Sequence, residues 1–205
     1  MHMDKMRELY VAELEDLHSA EKQLLEALPK LANRATTLEL KMAFEAHLEE
    51  TKKHVQRLDR VFESLDVEPR GCHSTMMQRL IEKTQELVVE QAQGDVLDAA
   101  LIARAHHVEH YELAGYGTLK TYAIMLGEVS HLRLFQQTVH EEAVADDWLT
   151  EIAHTIDIEW AIRNRTKKAD DREVLRPLEI DREVHDEPRG RPSPSWDPII
   201  EARDR

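Results

Sequence analysis

Several residue types that are abundant in other classes of protein are scarce in this sequence. It contains one cysteine, six glycines and only 5% aromatic residues. A single cysteine excludes an intrachain disulfide, and so little glycine and aromatic side chain argues against a β-sandwich with many turns. No run approaches 18 consecutive apolar residues, so we expect no membrane-spanning segment.

Positive charge is also in short supply. The chain has 27 Lys and Arg residues against 41 Asp and Glu residues, a formal net charge of −14. Nucleic-acid binding needs a basic surface that neutralises phosphates, so we expect no nucleic-acid partner. The N-terminal stretch MHMDKMRELYVAELED is charged throughout and lacks the apolar centre of a signal peptide. We therefore expect a cytoplasmic protein.

What the sequence does contain is helical periodicity. Apolar residues recur at alternating steps of three and four in four segments of roughly 30 residues, the pattern of bundle-forming helices. The polar stretch NRATT (33–37) predicts one short helix–helix turn. Gly127 predicts a second turn as a helix C-cap, with Ser130 as the N-cap of the next helix. The sequence thus predicts an all-α fold, an antiparallel four-helix bundle made of two helical hairpins.

The segment between the hairpins predicts an additional crossing helix. A Pro/Gly loop at 67–74 precedes a helical pattern at about 75–93, which Gly94 and Asp95 end. Residues 1–164 then form the bundle. Residues 165–205 hold five of the seven prolines and many charges of both signs, which is typical of a flexible tail. Trp196 in this tail is a candidate contact for a protein partner.

Each of the four apolar stripes contains a carboxylate or an imidazole at a core position: Glu21 in the first, His47 and His54 in the second with Glu50 beside them, Glu112 in the third, and Glu142 and Asp146 in the fourth. In an antiparallel hairpin, residues equidistant from the turn face each other, which predicts Glu21 level with Glu50 and Glu112 level with Glu142. Four carboxylates in a dry interior repel one another unless divalent cations or shared protons compensate their charge. The pattern therefore predicts a metal site inside the bundle.

More candidate ligands lie one turn away on or beside the inward faces: His47, His54, Glu109 and Asp146. A carboxylate-bridged dinuclear site uses four carboxylates and two imidazoles, and oxygen-rich, nitrogen-assisted donor sets suit two Fe or Mn ions. The usual Glu-x-x-His spacing is broken, because position 53 is Lys and Asp146 stands where a second imidazole is expected. The site is then unusually carboxylate-rich, binds metal weakly, or has become a buried polar network. His106 and His110 have a chelating spacing but are expected to face outward.

Four segments carry a resemblance to a known family: DLHSAEKQLLEALPKLA, AFEAHLEETKKHVQRLDRVFESL, DAALIARAHHVEHYELAGYGTLKTYA and EEAVADDWLT. They resemble the YciE/YciF-type ferritin-like stress proteins over about residues 5–155, with HLEET and VEHYE…YGTL as the most specific parts. The resemblance implies a ferritin-like bundle with an extra crossing helix, a homodimer, a dinuclear metal site and a role in bacterial stress responses. The residues here that match the family pattern are Asp16, Glu21, His47, Glu50, Glu109, Glu112 and Glu142.

Two functions of different classes follow. In the first, the protein is a dinuclear Fe or Mn oxidoreductase that reacts with O₂ or peroxide, as a ferroxidase or an oxidant-consuming enzyme. In the second, it is a non-catalytic stress protein whose polar core is structural and whose surface or charged tail recruits other proteins.

Overall fold

The computed structural model describes residues 3–89 and 93–168, and within these ranges every regular element is an α-helix. The helices are α1 (Met3–Arg34), α2 (Leu38–Leu65), α3 (Thr75–Val89), α4 (Asp95–Leu126) and α5 (Val129–Lys168). The predicted all-α class is confirmed, with four long helices and a shorter one in the long connection.

The turns that close the two hairpins lie close to where the sequence predicts them. α1 ends at Arg34 and α2 begins at Leu38, so residues 35–37 make the first turn. α4 ends at Leu126, and its C-cap is Gly127, whose φ of 77° lies in the left-handed region that glycine adopts without steric cost. α5 begins at Val129, so Ser130 lies inside its first turn and does not serve as the predicted N-cap.

The two hairpins are joined by contacts at both ends of the bundle. The buried carboxylate of Asp98, in the first turn of α4, accepts hydrogen bonds from the backbone N–H groups of Thr36 and Thr37 at 2.7 Å each. At the other end, the Ser64 hydroxyl of α2 lies 2.6 Å from Nε2 of His131 in α5. α4 is therefore antiparallel to α1, and α5 is antiparallel to α2.

The connecting helix α3 begins at Thr75, as the sequence predicts, and packs against α1 and α4. Its described part runs to Val89, and α4 begins at Asp95, directly after Gly94. Residues 90–92 lie outside the described ranges. The buried side chain of Met77 anchors α3 in the core.

The apolar core consists of two clusters at opposite ends of the bundle. One surrounds Leu28, Phe44 and Leu149, near the first turn, and the other surrounds Tyr10, Phe62 and Phe135. Burial of side chains this large contributes roughly 1.5–3 kcal/mol each, so the two clusters hold the four long helices together. The layer between the clusters is polar, and all the long helices contribute to it.

The described helices include none long and apolar enough to cross a membrane. α5 continues to Lys168, four residues beyond the predicted bundle boundary at 164. The division into a bundle and a tail stays a prediction. The expected partner contact at Trp196 falls outside the described residues.

Candidate metal centre

Six of the residues predicted from the sequence meet in the polar layer between the two apolar clusters. They form two groups, each with ligand atoms within 4.8 Å of one another. The first group is Glu21, His54 and Glu142. The second is His47, Glu109, Glu112 and Glu142.

Glu142 of α5 belongs to both groups, and its two oxygens point to different histidines of α2. Its Oε1 lies 2.9 Å from Nδ1 of His54, and its Oε2 lies 3.9 Å from Nε2 of His47. The same His54 Nδ1 is 3.4 Å from Oε1 of Glu21, and the same His47 Nε2 is 3.4 Å from Oε1 of Glu109. A carboxylate placed between two groups of ligands has the geometry of a bridge between two ions.

These buried groups lack the hydrogen bonds that buried polar atoms normally make. Both oxygens of Glu112, both ring nitrogens of His47 and Oε2 of Glu142 have no hydrogen-bond partner, and Oε1 of Glu142 meets Nδ1 of His54 as an ion pair without hydrogen-bond geometry. Oε2 of Glu21 and of Glu109 are also unpartnered. Such atoms cost about 1–3 kcal/mol each when nothing compensates their desolvation. So many lone pairs converging on one interior site fit the donor set of a bound cation.

The pKa values of the side chains in the polar layer also indicate that its negative charge is poorly compensated. Burial, reinforced by the charges of Glu142 and Glu21, raises the pKa of Glu112 well above its usual range. Burial likewise raises the pKa of Glu109, although His47 partly offsets it. Burial alone would lower the pKa of His54, but the carboxylates of Glu142 and Glu21 raise it to about 11. The histidines supply the only positive charge among these residues, and a divalent cation would relieve the remaining repulsion.

His54 is oriented by groups that the sequence did not predict. Its Nε2 donates a hydrogen bond to Oε2 of Glu141 at 3.0 Å, which leaves Nδ1 directed at the candidate site. Arg57 holds Glu141 in turn, with its Nη2 2.8 Å from Oε1 and its Nη1 on Oε2. Burial would raise the pKa of Glu141, but Arg57 lowers it to about 2. An outer carboxylate on the second nitrogen of a histidine is the usual support of a metal-ligating imidazole.

A tyrosine supports the opposite side of the layer. The buried Tyr116 of α4 donates its O–H to Oε1 of Glu21 at 2.5 Å. The candidate residues did not include Tyr116, Glu141 or Arg57. Their only signal in the sequence is helical proximity, since Arg57 follows His54 by three residues and Glu141 adjoins Glu142.

Three candidate residues lie outside both groups. Glu50 is partly exposed, and its Oε2 is 3.8 Å from Nδ1 of His47. Asp146 pairs instead with two histidines of α4, His106 at 2.5 Å and His110 at 3.3 Å. Asp16 accepts a hydrogen bond from the Tyr111 hydroxyl. Their roles as ligands stay predictions, but each already has another partner.

The register of the first hairpin differs from the prediction. His54, rather than Glu50, lies against Glu21. The midpoint between Glu21 and His54 falls between residues 37 and 38, whereas the predicted turn was centred between 35 and 36. The displacement places Glu50 one helical turn nearer the first turn than Glu21. In the second hairpin, Glu112 and Glu142 do converge, as predicted from a turn centred on Gly127.

Comparison with known proteins agrees with the resemblance found in the sequence. A family described as a domain of unknown function (DUF892) matches residues 5–160. Protein YciF of Escherichia coli (strain K12) is 41% identical over 175 residues, which cover 84% of this chain and 99% of YciF.

Solved structures agree as well. The crystal structure of the E. coli stress protein YciF has a TM-score of 0.72 at 41% identity, covering 74% of this chain and 96% of YciF. YcfI from Rhodopseudomonas palustris has a TM-score of 0.69 at 40% identity, covering 71% of this chain and 92% of that protein. A protein from Xanthomonas campestris, at 23% identity and a TM-score of 0.61, shares the fold. The chain belongs to the DUF892 family of YciF-like proteins.

Proposed function

We propose that this YciF-like chain binds two Fe or Mn ions in the interior of its bundle and acts in oxidant or iron redox chemistry. The observation that carries the proposal is the pair of buried ligand groups that share Glu142. One ion would be held by Glu21, His54 and Glu142. The other would be held by His47, Glu109, Glu112 and Glu142. Each set combines carboxylates with one imidazole, a donor set that suits Fe and Mn.

A bound pair of such ions would supply electrons to O₂ or peroxide. The chain's own residues make a setting suited to that chemistry. The two apolar clusters keep water from both ends of the polar layer, and the Glu141 hydrogen bond holds His54 with Nδ1 inward. Tyr116 holds Glu21 in the same way. The description of the relative YciF as a stress protein is consistent with a role in handling oxidants.

The metal part of the proposal is tested by binding and stability. Protein purified without chelator and loaded with Mn(II), or with Fe(II) without oxygen, should hold about two ions per chain and unfold at a higher temperature, because a ligand of the folded state stabilises it. Glu142→Ala should lose both ions, since Glu142 belongs to both groups. The exposed Asp147→Ala, on the same helix, is the matched control and should bind normally.

The redox part is tested separately on the loaded protein. Consumption of peroxide, or oxidation of Fe(II) by O₂, should occur with the wild-type chain and with Asp147→Ala, and should be absent with Glu142→Ala. If the wild-type chain takes up neither metal and its stability does not change when metal is added, the proposal fails. The non-catalytic, partner-binding protein would then be the better description.

Three further expectations stay predictions: the homodimer, the cytoplasmic location and a protein partner for residues 165–205. Light scattering of the purified chain tests the first of these. A dimer should scatter at twice the 23.8 kDa chain mass.

A further inference from the structure

A small cavity between α2 and α5 reaches the polar layer from the surface. Its volume is about 160 Å³, and His47 and Glu109 lie in its lining. Apolar side chains make most of the wall, among them Phe44, Val144 and Trp148. Glu50 also lines the cavity. It is therefore next to the candidate metal centre without belonging to either ligand group.

The polar residues of this cavity become steadily less exposed towards the interior. The side chain of Glu50 is 32% exposed, that of His47 is 6% exposed and that of Glu109 is 4% exposed. Oε2 of Glu50 is 3.8 Å from Nδ1 of His47, and Nε2 of His47 is 3.4 Å from Oε1 of Glu109. The three residues make a continuous line of ligand atoms from solvent to the second group.

His47 lies between Glu50 and Glu109, and neither of its ring nitrogens makes a hydrogen bond. Both of its ring nitrogens are buried and unpartnered. One nitrogen faces the partly exposed carboxylate of Glu50, and the other faces the buried carboxylates of Glu109 and Glu142. Each ring nitrogen binds a cation only when it carries no proton, so His47 can take an ion from the Glu50 side at Nδ1 or hold one in the interior at Nε2, with the proton on the other nitrogen.

We propose that this cavity is the route by which divalent cations reach the metal centre, and that Glu50 captures the incoming ion and passes it to His47. The inference rests on the proposed metal function and adds an uptake step to it. A hydrated cation loses water ligands as it enters a narrow space, and a carboxylate at the opening replaces them. The apolar wall offers no competing site, and the chain's net charge of −14 draws cations towards the surface.

The test is the rate of metal uptake, measured on the full chain. Free Co(II) is followed with a coloured indicator in a stopped-flow instrument after mixing with metal-free protein. Glu50→Gln should slow uptake by about tenfold, in the range by which local charge changes association rates. The number of ions bound at equilibrium should stay at the wild-type value.

Glu49→Gln is the matched control, because it removes the same charge from the neighbouring residue. Glu49 is 65% exposed and pairs with Lys52 on the outer surface of α2, away from the cavity. Its uptake rate should equal that of the wild type. Equal slowing in both variants would mean that only the overall charge matters, and it would overturn the role of Glu50.

A second pair of variants tests the route itself. Ala46 lines the cavity and is exposed, so Ala46→Phe should narrow the passage without disturbing the core, and uptake should again slow by about tenfold. Ala103→Phe, at an exposed position of α4, is the control and should have no effect.

The two proposals fail in different ways. If wild-type protein binds no metal, the metal function itself is wrong. If it binds metal but Glu50→Gln and Ala46→Phe load at the wild-type rate, the centre exists and the access route is wrong. If Glu50→Gln lowers the number of ions bound, Glu50 is a ligand and the uptake role is also wrong.

Discussion

The buried carboxylates of the proposed metal centre should lower the free energy of unfolding of the metal-free protein, and Glu112 is the best position to show this. Glu112 is fully buried, both of its oxygens lack hydrogen bonds, and burial with its carboxylate neighbours raises its pKa well above the usual range. Replacing it with Met removes these polar atoms and keeps a side chain of similar length. We therefore expect Glu112→Met to stabilise the metal-free protein.

The size of the effect follows from the atoms removed. An unsatisfied buried polar group costs about 1–3 kcal/mol, so removing the Glu112 carboxyl should raise the free energy of unfolding by about 2 kcal/mol. For a chain of this length each kcal/mol shifts the melting temperature by about 2–4 °C. With metal, the order should reverse. When the free metal concentration is a hundred times Kd, binding raises the free energy of unfolding of the wild-type protein by about 2.7 kcal/mol per site. The variant loses this stabilisation at the second group.

The assay is thermal unfolding of both proteins, in chelator and then in excess Mn(II). Glu21→Met is the control that should gain little or nothing in chelator. Glu21 accepts the buried Tyr116 hydroxyl at 2.5 Å, so its loss leaves that donor unpaired, which offsets the gain from removing the unpartnered Oε2. A metal-free Glu112→Met that is less stable than wild type would refute the reasoning, because the carboxyl would then contribute to stability.

Two further predictions concern packing and pH. Gly115→Ala should destabilise the protein by about 1–3 kcal/mol in urea unfolding, because the new Cβ would lie 2.8 Å from a δ-carbon of the fully buried Leu17. Gly117→Ala, two residues along α4 with open space around it, should instead stabilise by about 0.5–1 kcal/mol, and the same sign for both would contradict the packing argument. Burial lowers the pKa of His131, whose Nδ1 accepts the Tyr10 hydroxyl. The neutral His131 therefore contributes its full stabilisation above the unfolded-state pKa of about 6.5, and this stabilisation is lost as the pH falls below that value. The urea midpoint should fall more between pH 7.5 and 5.5 in wild type than in His131→Gln, and equal falls would exclude this role.

The second hairpin could be predicted from the sequence because its turn has a clear chemical marker. A glycine at position 127 fixes the end of α4 in the left-handed conformation, and α5 starts two residues later. With the turn fixed, equal spacing brings Glu112 and Glu142 together. The periodicity of the apolar residues was also sufficient for the helices themselves, since each stripe is long and buried on one face.

The register of the first hairpin could not be predicted as well, although its turn at residues 35–37 lies within the predicted NRATT. NRATT contains no glycine or proline that fixes how the chain passes through the turn, so equal spacing from the turn does not determine which residues of α1 and α2 lie level. The residue that holds this turn is Asp98, which lies more than 60 positions away and bonds to Thr36 and Thr37. A contact at that separation leaves no local signal. The error is one helical turn, enough to place Glu50 against Glu21 where His54 lies.

The supporting groups were missed for a different reason. Arg57, Glu141 and Tyr116 act through contacts between helices, and charged residues beside an apolar stripe are usually exposed. Here, Arg57 is buried and holds Glu141 against His54. Their function becomes visible only when the rotation of α2 against α5 is known.

Residue type and spacing alone do not separate ligands from neighbours in this layer. Glu50 and Asp146 have the right chemistry and lie one turn from true members of the groups, but both are partly exposed. The six residues that converge are all at least 95% buried, and most of their side-chain nitrogen and oxygen atoms make no hydrogen bond. Burial costs a carboxylate too much to be retained without compensation, whereas a partly exposed carboxylate is free to exchange water for a passing ion. In the proposed function, the same physical difference gives the buried residues the role of holding metal and gives Glu50, at the opening of the cavity, the role of delivering it.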